Sequence, residues 1–193
     1  MRIALIIAAF VAVCYAQIPE RCDSPKQWEG RRILIDGSKK FMEYSRLVYD
    51  EVNRRERSTE EIQAGTERDY YDVLTLHNEN REYRLNLKTK KCNVTTVNHP
   101  FRVKGVPEGA KFLFEAEVGA ASIPFEHLTS ITFGGEYTED HVKYISTVTF
   151  PDCVPILDNY YNDVVKYVES RYFDIKAGIT DPMAFIPPSE CTS

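Results

Sequence analysis

The sequence predicts a mainly β protein: curved antiparallel sheets forming a half-barrel or sandwich, with one or two short helices. Three observations lead there. Residues 81–88 alternate strictly, with Tyr83, Leu85 and Leu87 on one face and Glu82, Arg84, Asn86 and Lys88 on the other, the pattern of a strand with one buried face. Similar stretches recur between short polar or glycine-containing turns. Only one segment repeats its apolar residues at helical spacing.

In chain order, residues 28–35 form a first strand, stopped by Asp36-Gly37. Residues 41–52 alternate poorly, and Ser58-Thr59-Glu60-Glu61 has the composition of a helical turn; the region from Arg31 to Glu67 reads as strands with a loop. Residues 70–76, rich in aromatic and β-branched side chains, pair with 81–88 across the polar turn His77-Asn78-Glu79-Asn80, a hairpin. After the turn Pro107-Glu108-Gly109, residues 111–118 put Phe112, Phe114, Ala116 and Val118 on one face, with Leu113 the exception. Residues 128–133 run into Gly134-Gly135, in a hairpin-like setting, and residues 143–150 follow with Tyr144, Val148 and Phe150 on one face. Tyr160, Tyr161, Val164, Val165 and Val168 recur at helical spacing behind Asp158, a good N-cap, and predict the one helix. Many strands with wet faces and so few helices leave the apolar faces to be covered by another sheet, a helix or a ligand.

Residues 1–16 read as a secretory signal peptide: a charge at Arg2, an apolar run over 3–13, and small residues at Cys14 and Ala16 around a cleavage site before Gln17. The run is shorter than the ~20 apolar residues of a spanning helix, and no other stretch could cross a bilayer as a helix. Residues 17–193 then form a single domain, with 23 of the 24 basic residues against all 29 acidic ones, a net charge of −6. That balance argues against nucleic acid as a general partner. Arg31-Arg32 and Arg54-Arg55-Glu56-Arg57 read first as solvated strand or turn positions, with anionic-lipid contacts as the second reading. Cleavage leaves Cys22, Cys92, Cys153 and Cys191, an even number that implies disulfides in an exported chain and allows three connectivities. Asn93-Val94-Thr95 is the single glycosylation sequon.

Catalytic chemistry finds little support. The chain has no G-x-S-x-G, no H-E-x-x-H and no glycine-rich phosphate loop, and no motif for an organic cofactor. His77, His99, His127 and His141 are scattered over turns and strand ends and read as surface histidines. A linear calcium loop is absent; a calcium site would have to be assembled from separate loops, and spacing does not choose its ligands. Aromatic residues make up 12% of the chain, enough to fill a core and, on a curved sheet with few helices, to line a cavity for a lipid or other apolar molecule. Tyr83, Leu85, Leu87, Phe112, Phe114, Tyr144, Val148 and Phe150 are the candidate lining.

Four segments, in order, carry a family resemblance. They are Cys22-x-Ser24-Pro25-x-Gln27-Trp28-Glu29-Gly30-Arg31; Val103-x-Gly105-Val106-Pro107-x-Gly109-Ala110-x-Phe112; Val148-Thr149-Phe150-Pro151-x-Cys153-Val154-Pro155; and Tyr172-Phe173-Asp174-Ile175-x-Ala177-Gly178-Ile179-x-Asp181-Pro182-x-x-Phe185-Ile186-Pro187-Pro188-x-x-Cys191. The set resembles the ependymin-related proteins, and residues 54–67 match least well. The resemblance implies a secreted or lysosomal glycoprotein with a deep hydrophobic pocket between curved sheets, similar to bacterial periplasmic lipoprotein carriers. It also implies a homodimer, links to calcium and cell–matrix adhesion, no established enzymatic activity, and bridges joining Cys22 to Cys153 and Cys92 to Cys191. The expected function is binding of a lipid or fatty acid; the alternative is an extracellular, calcium-dependent adhesion or structural protein. Proline pairs at the C-terminus predict an extended tail that Cys191 ties back to the body.

Overall fold

A computed structural model describes residues 19–164 and 166–192; the predicted leader lies outside the described residues. Eleven strands follow one another: β1 (Gln27–Asp36), β2 (Phe41–Asp50), β3 (Arg55–Ala64), β4 (Glu67–Leu76), β5 (Arg81–Asn86), β6 (Cys92–Thr95), β7 (Lys111–Gly119), β8 (His127–Tyr137), β9 (Val142–Thr149), β10 (Pro155–Asn162) and β11 (Lys166–Ala177). They form one antiparallel sheet in the order β6-β5-β4-β3-β2-β1-β11-β10-β9-β8-β7. Two meanders, β1–β6 and β7–β11, are therefore joined along a central β1–β11 seam, and the sheet is open at β6 and β7.

The turns explain why the chain doubles back where it does. At the β1–β2 turn, Asp36 Oδ1 accepts hydrogen bonds from the backbone N–H groups of Ser38 and Lys39 at 3.1 and 3.2 Å, the local aspartate bonding that favours a turn over a continued strand. Asp50 plays the same part at the β2–β3 turn. Fully buried, it accepts from the Asn53 N–H, Asn53 Nδ2, Gln27 Nε2 and Arg55 Nε. Burial opposes its charge, but these donors hold the carboxyl below its usual range.

The sheet is strongly bent. Glu82 on β5 and Val142 on β9 line the same cavity, although seven strand spacings separate them in the sheet order, ~34 Å if it were flat. Residues 96–110, the link from β6 to β7, form a strap. Phe101 stacks on Tyr49 at 5.8 Å, the Lys104 N–H donates to Tyr49 Oη at 3.2 Å, and Val106 is buried with Ile131, Phe133, Val148 and Cys153. Trp28, Leu47, Tyr49 and Tyr172 form a second buried cluster on the concave face. A third lies on the convex face, where Leu74, Leu76 and Tyr83 are covered by Ala184 and Phe185 of the C-terminal tail. Cys22 is bonded to Cys153 and Cys92 to Cys191, the second bridge tying the tail to β6.

Three sequence expectations are corrected. The helix predicted behind Asp158 is instead β10, a turn and the start of β11. Its tyrosines and valines are β-favouring residues, and Asp158 is a buried hydrogen-bond acceptor rather than a cap. Ser58–Glu61 lies inside β3, not in a helical turn. Gly134-Gly135 lies inside β8, not at its hairpin. Among the described residues the helical content is three short 3-10 turns, His77–Glu79, Pro182–Phe185 and Ser189–Cys191.

Candidate functional site: the concave cavity

Register decides which side chains face the hollow. Arg32 pairs with Ser45 and Ser45 with Glu60, so these three project from the same face. On β3 and β4, Ser58 pairs with Val73, and on β4 and β5, Val73 pairs with Arg84. Leu34 pairs with Ser170, Ser170 with Asp158, and Asp158 with Ser146. Of these, Arg32, Leu34, Ser58, Glu60, Val73, Arg84 and Ser170 line a cavity of about 410 Å³, within the range of small-ligand sites. Its apolar wall comes from Leu34, Val73, Val142, Tyr160, Val168 and Tyr172, and the strap closes it with Pro100, Phe101, Arg102 and Lys104. Its polar wall includes Arg32, Glu56, Ser58, Glu60, Glu82 and Arg84.

The charges are arranged in pairs. Arg32 Nη2 donates to Glu43 Oε1 at 2.6 Å, both side chains being buried. Burial opposes the guanidinium's charge, but Glu43 and Glu56 hold it firmly protonated. Lys104 Nζ lies 2.7 Å from Glu56 Oε2; although burial works the other way, Lys104 and Arg32 pull the Glu56 carboxyl down to about 2. Glu60 accepts from Ser58 Oγ at 2.5 Å and from Arg84 Nη2 at 3.2 Å. Burial and the neighbouring charge of Glu43 nonetheless push it up to about 7. Asp158 accepts from Ser146 Oγ at 2.6 Å and Tyr172 Oη at 2.9 Å, and burial raises it to about 6. At the strap, the His77 ring meets His99 and Phe101, each at 5.2 Å, and burial beside His99 lowers His77 to about 4.

None of the eight side chains predicted to line a pocket touches this cavity. Tyr83 belongs to the convex cluster under the tail; Leu85, two residues on, is buried on that face, and Leu87 is half-buried in the turn beyond β5. Val148 is core beneath the strap, with Phe112 packed against that cluster. Tyr144 is buried, whereas Phe114 and Phe150 are exposed. On β5 the alternation is real but runs opposite to the expected direction, since the polar residues Glu82 and Arg84 face the hollow; on β9, Tyr144 and Val148 do lie on the concave side, outside the cavity. A polar row can face inward because facing strands supply opposite charges. Arg31 and Arg32, both expected to be solvated, part company: Arg31 is exposed and Arg32 buried, as period two requires. Nothing local in the sequence marks Arg32, Glu43, Glu56, Glu60 and Arg84: Arg32 meets Glu43 across the β1–β2 hairpin, Arg84 reaches Glu60 across β4, and Glu56 meets Lys104 of the strap. His77 is half-buried against the strap rather than a free surface histidine. Asn93 is exposed on the edge strand β6. Among the described residues no group of three or more His, Cys, Asp or Glu side chains is placed to hold a metal ion, and no helix is long and apolar enough to cross a membrane.

The fold and its hollow define a disulfide-bridged, open antiparallel half-barrel with a ligand-sized concave site. The Ependymin family profile matches residues 65–191, and the chain belongs to the ependymin family. It is 26% identical over 175 residues to mammalian ependymin-related protein 1 of Rattus norvegicus, covering 90% of this chain and 77% of that protein. It is 23% identical over 188 residues to ependymin-2 of Carassius auratus, covering 97% and 87% respectively. Among solved structures, an uncharacterized conserved protein from Thermus thermophilus aligns with a TM-score of 0.48 and 10% identity, over 86% of this chain and 88% of that one.

Proposed function

We propose that this protein is an exported, non-catalytic binding protein that holds an amphipathic, lipid-like molecule in the concave cavity. The observation that carries the reading is the hollow itself: the two meanders and the strap enclose about 410 Å³ that side chains leave unfilled. One wall is apolar enough for a hydrocarbon chain, at ~25 cal/mol per Å² buried, and the other is polar enough for a head group. The predicted leader and the two disulfides support export, since such bridges persist in oxidising compartments, and the exposed Asn93 supports a glycan.

The alternative, an adhesion or structural role with self-association, draws on a different surface. Phe114 pairs with Thr132, Val118 with Leu128, and Ile145 with Gly134, so the convex side of β7–β9 presents Phe114, Val118, Leu128 and Ile145, all exposed. An apolar patch of that kind marks a contact face.

Native mass spectrometry of the gently purified protein separates the two. The carrier reading expects a bound amphiphile that organic extraction removes and that can be loaded again. A protein that arrives empty and takes up no amphiphile offered to it would overturn the reading and leave the convex face as the functional surface.

A further inference from the structure

The cavity's charge balance says which head group it suits. Every cation on its wall is already held: Arg32 by Glu43, Arg84 by Glu60, Lys104 by Glu56 and Arg102 by Asp140. Two carboxylates have no such partner. The carboxylate of Glu82, on the β5 wall, makes no side-chain hydrogen bond or ion pair among the described residues. Asp158, behind the wall, has no ion-pair contact and is held by the hydroxyl groups of Ser146 and Tyr172 and the backbone of Gly105. The site and its immediate partners thus contain six carboxylates and four cations.

An incoming carboxylate or phosphate would have to take a cation from one of these pairs. For Arg32, Arg84 and Lys104 that strands a largely buried carboxylate, which costs more than the exchanged contact returns; only Arg102, whose partner Asp140 is exposed, could be released at less cost. An ammonium group meets the reverse situation. The Glu82 carboxylate has no cation partner, Glu60 shares its one arginine contact with the opposing field of Glu43, and across the cavity the rings of Phe101, Tyr160 and Tyr172 complete the lining, where cations are attracted to aromatic faces. Between Glu60 and Arg32 in the strand register stands Ser45. Its hydroxyl is buried without a hydrogen-bond partner but lies behind the wall rather than on it, so it adds no donor that would favour an anion.

We propose that the concave cavity selects its ligand by charge and takes an amphiphile bearing an ammonium head group in preference to one bearing a carboxylate or phosphate. This inference rests on the carrier reading above, and its test keeps the two apart. The mature, disulfide-bonded chain is titrated near neutral pH with decyltrimethylammonium, 1-decanol and decanoate, each below its aggregation concentration. Binding is followed by calorimetry and by the fluorescence of Trp28, the only tryptophan in the chain, which touches Tyr172 at the cavity floor.

The expected order is ammonium tighter than alcohol by about tenfold, and alcohol tighter than carboxylate. Glu82→Gln should weaken the ammonium ligand severalfold and leave the alcohol unchanged, and Glu82→Lys should reverse the preference toward decanoate. Decanoate binding as tightly as the ammonium ligand, or all three binding alike, overturns the charge selection while leaving the carrier reading standing. Failure of all three to bind removes the carrier reading, and this inference with it.

Discussion

Replacing Phe185 by alanine tests whether the C-terminal tail is part of the folded core or a loose cover. Phe185 is 6% exposed and packs with Leu74, Leu76, Tyr83 and Ala184, with the Arg55 guanidinium 4.0 Å from its ring centroid. The tail is pinned on both sides of this residue. The Thr180 N–H donates to Glu29 at 2.5 Å, Arg57 Nη1 donates to the carbonyls of Ala184 and Ile186 at 2.8 and 3.2 Å, and Cys191 is bonded to Cys92. A segment held in this way cannot slide in to fill the space that the ring vacates, so the cost should approach the range for a buried phenylalanine, about 3–5 kcal/mol. In urea, with the bridges intact and Trp28 fluorescence as the signal, the midpoint should fall by ~1–2 M with little change in slope. Phe125→Ala, at a ring that is 101% exposed, should shift stability by less than ~0.5 kcal/mol. A loss under ~1 kcal/mol at Phe185 would refute the argument, because it would mean that the convex face of β4 and β5 is stable without its cover.

Two further perturbations address the interior. Glu60 titrates at about 7 in the folded protein, above its ordinary 4.5, so the folded state binds its proton more tightly than the unfolded chain does. Stability from this group is present at low pH and is lost as pH rises from about 4.5 through 7. Glu60→Gln should therefore be more stable than the parent above that window, by about 1–3 kcal/mol, and equal to it below; identical stability profiles would sink the assignment. Measuring variant against parent at each pH cancels His77, whose lowered value near 4 makes stability fall as pH drops below about 6.5. Gly105 has a φ of +130°, and a Cβ there would stand 2.0 Å from Ser24 Oγ. Gly105→Ala should cost more than ~2 kcal/mol and loosen the strap, read as faster proteolysis within residues 96–110; unchanged protection would show that the strap has slack.

Much of the architecture was legible in the chain. Period-two stretches gave the strands, His77–Asn80 marked the β4–β5 turn, and the ordered motifs at 22–31 and 172–191 pointed to the family. What could not be read was which face each strand buries. Alternation states that Tyr83 and Glu82 point opposite ways, not that Tyr83 lies under the tail while Glu82 faces the hollow. That depends on the bend of the sheet and on where residues 179–191 come to rest, both long-range consequences. The false helix has a local cause. Tyr160, Val164 and Val168 fit helical spacing only because a hairpin turn falls between the strands that carry them, and spacing alone does not see a turn. The paired charges were hidden for a similar reason: Arg32 and Glu43 are eleven residues apart and meet only through the β1–β2 hairpin.

The seam between β1 and β11 has a consequence for biogenesis. Every other strand pairs with a neighbour in sequence, so each meander can zip up through nearby contacts as it is made. Residues 27–36, however, must wait for residues 166–177, the last strand to leave the ribosome. Until then the edge carrying Ile33 and Ile35 is an open template for pairing with other chains. Closing it is the most distant contact in the sheet and the slowest to nucleate. A chain stopped short of β11 would hold two half-sheets linked by the strap and the Cys22–Cys153 bridge but without the strand ladder that makes them one sheet.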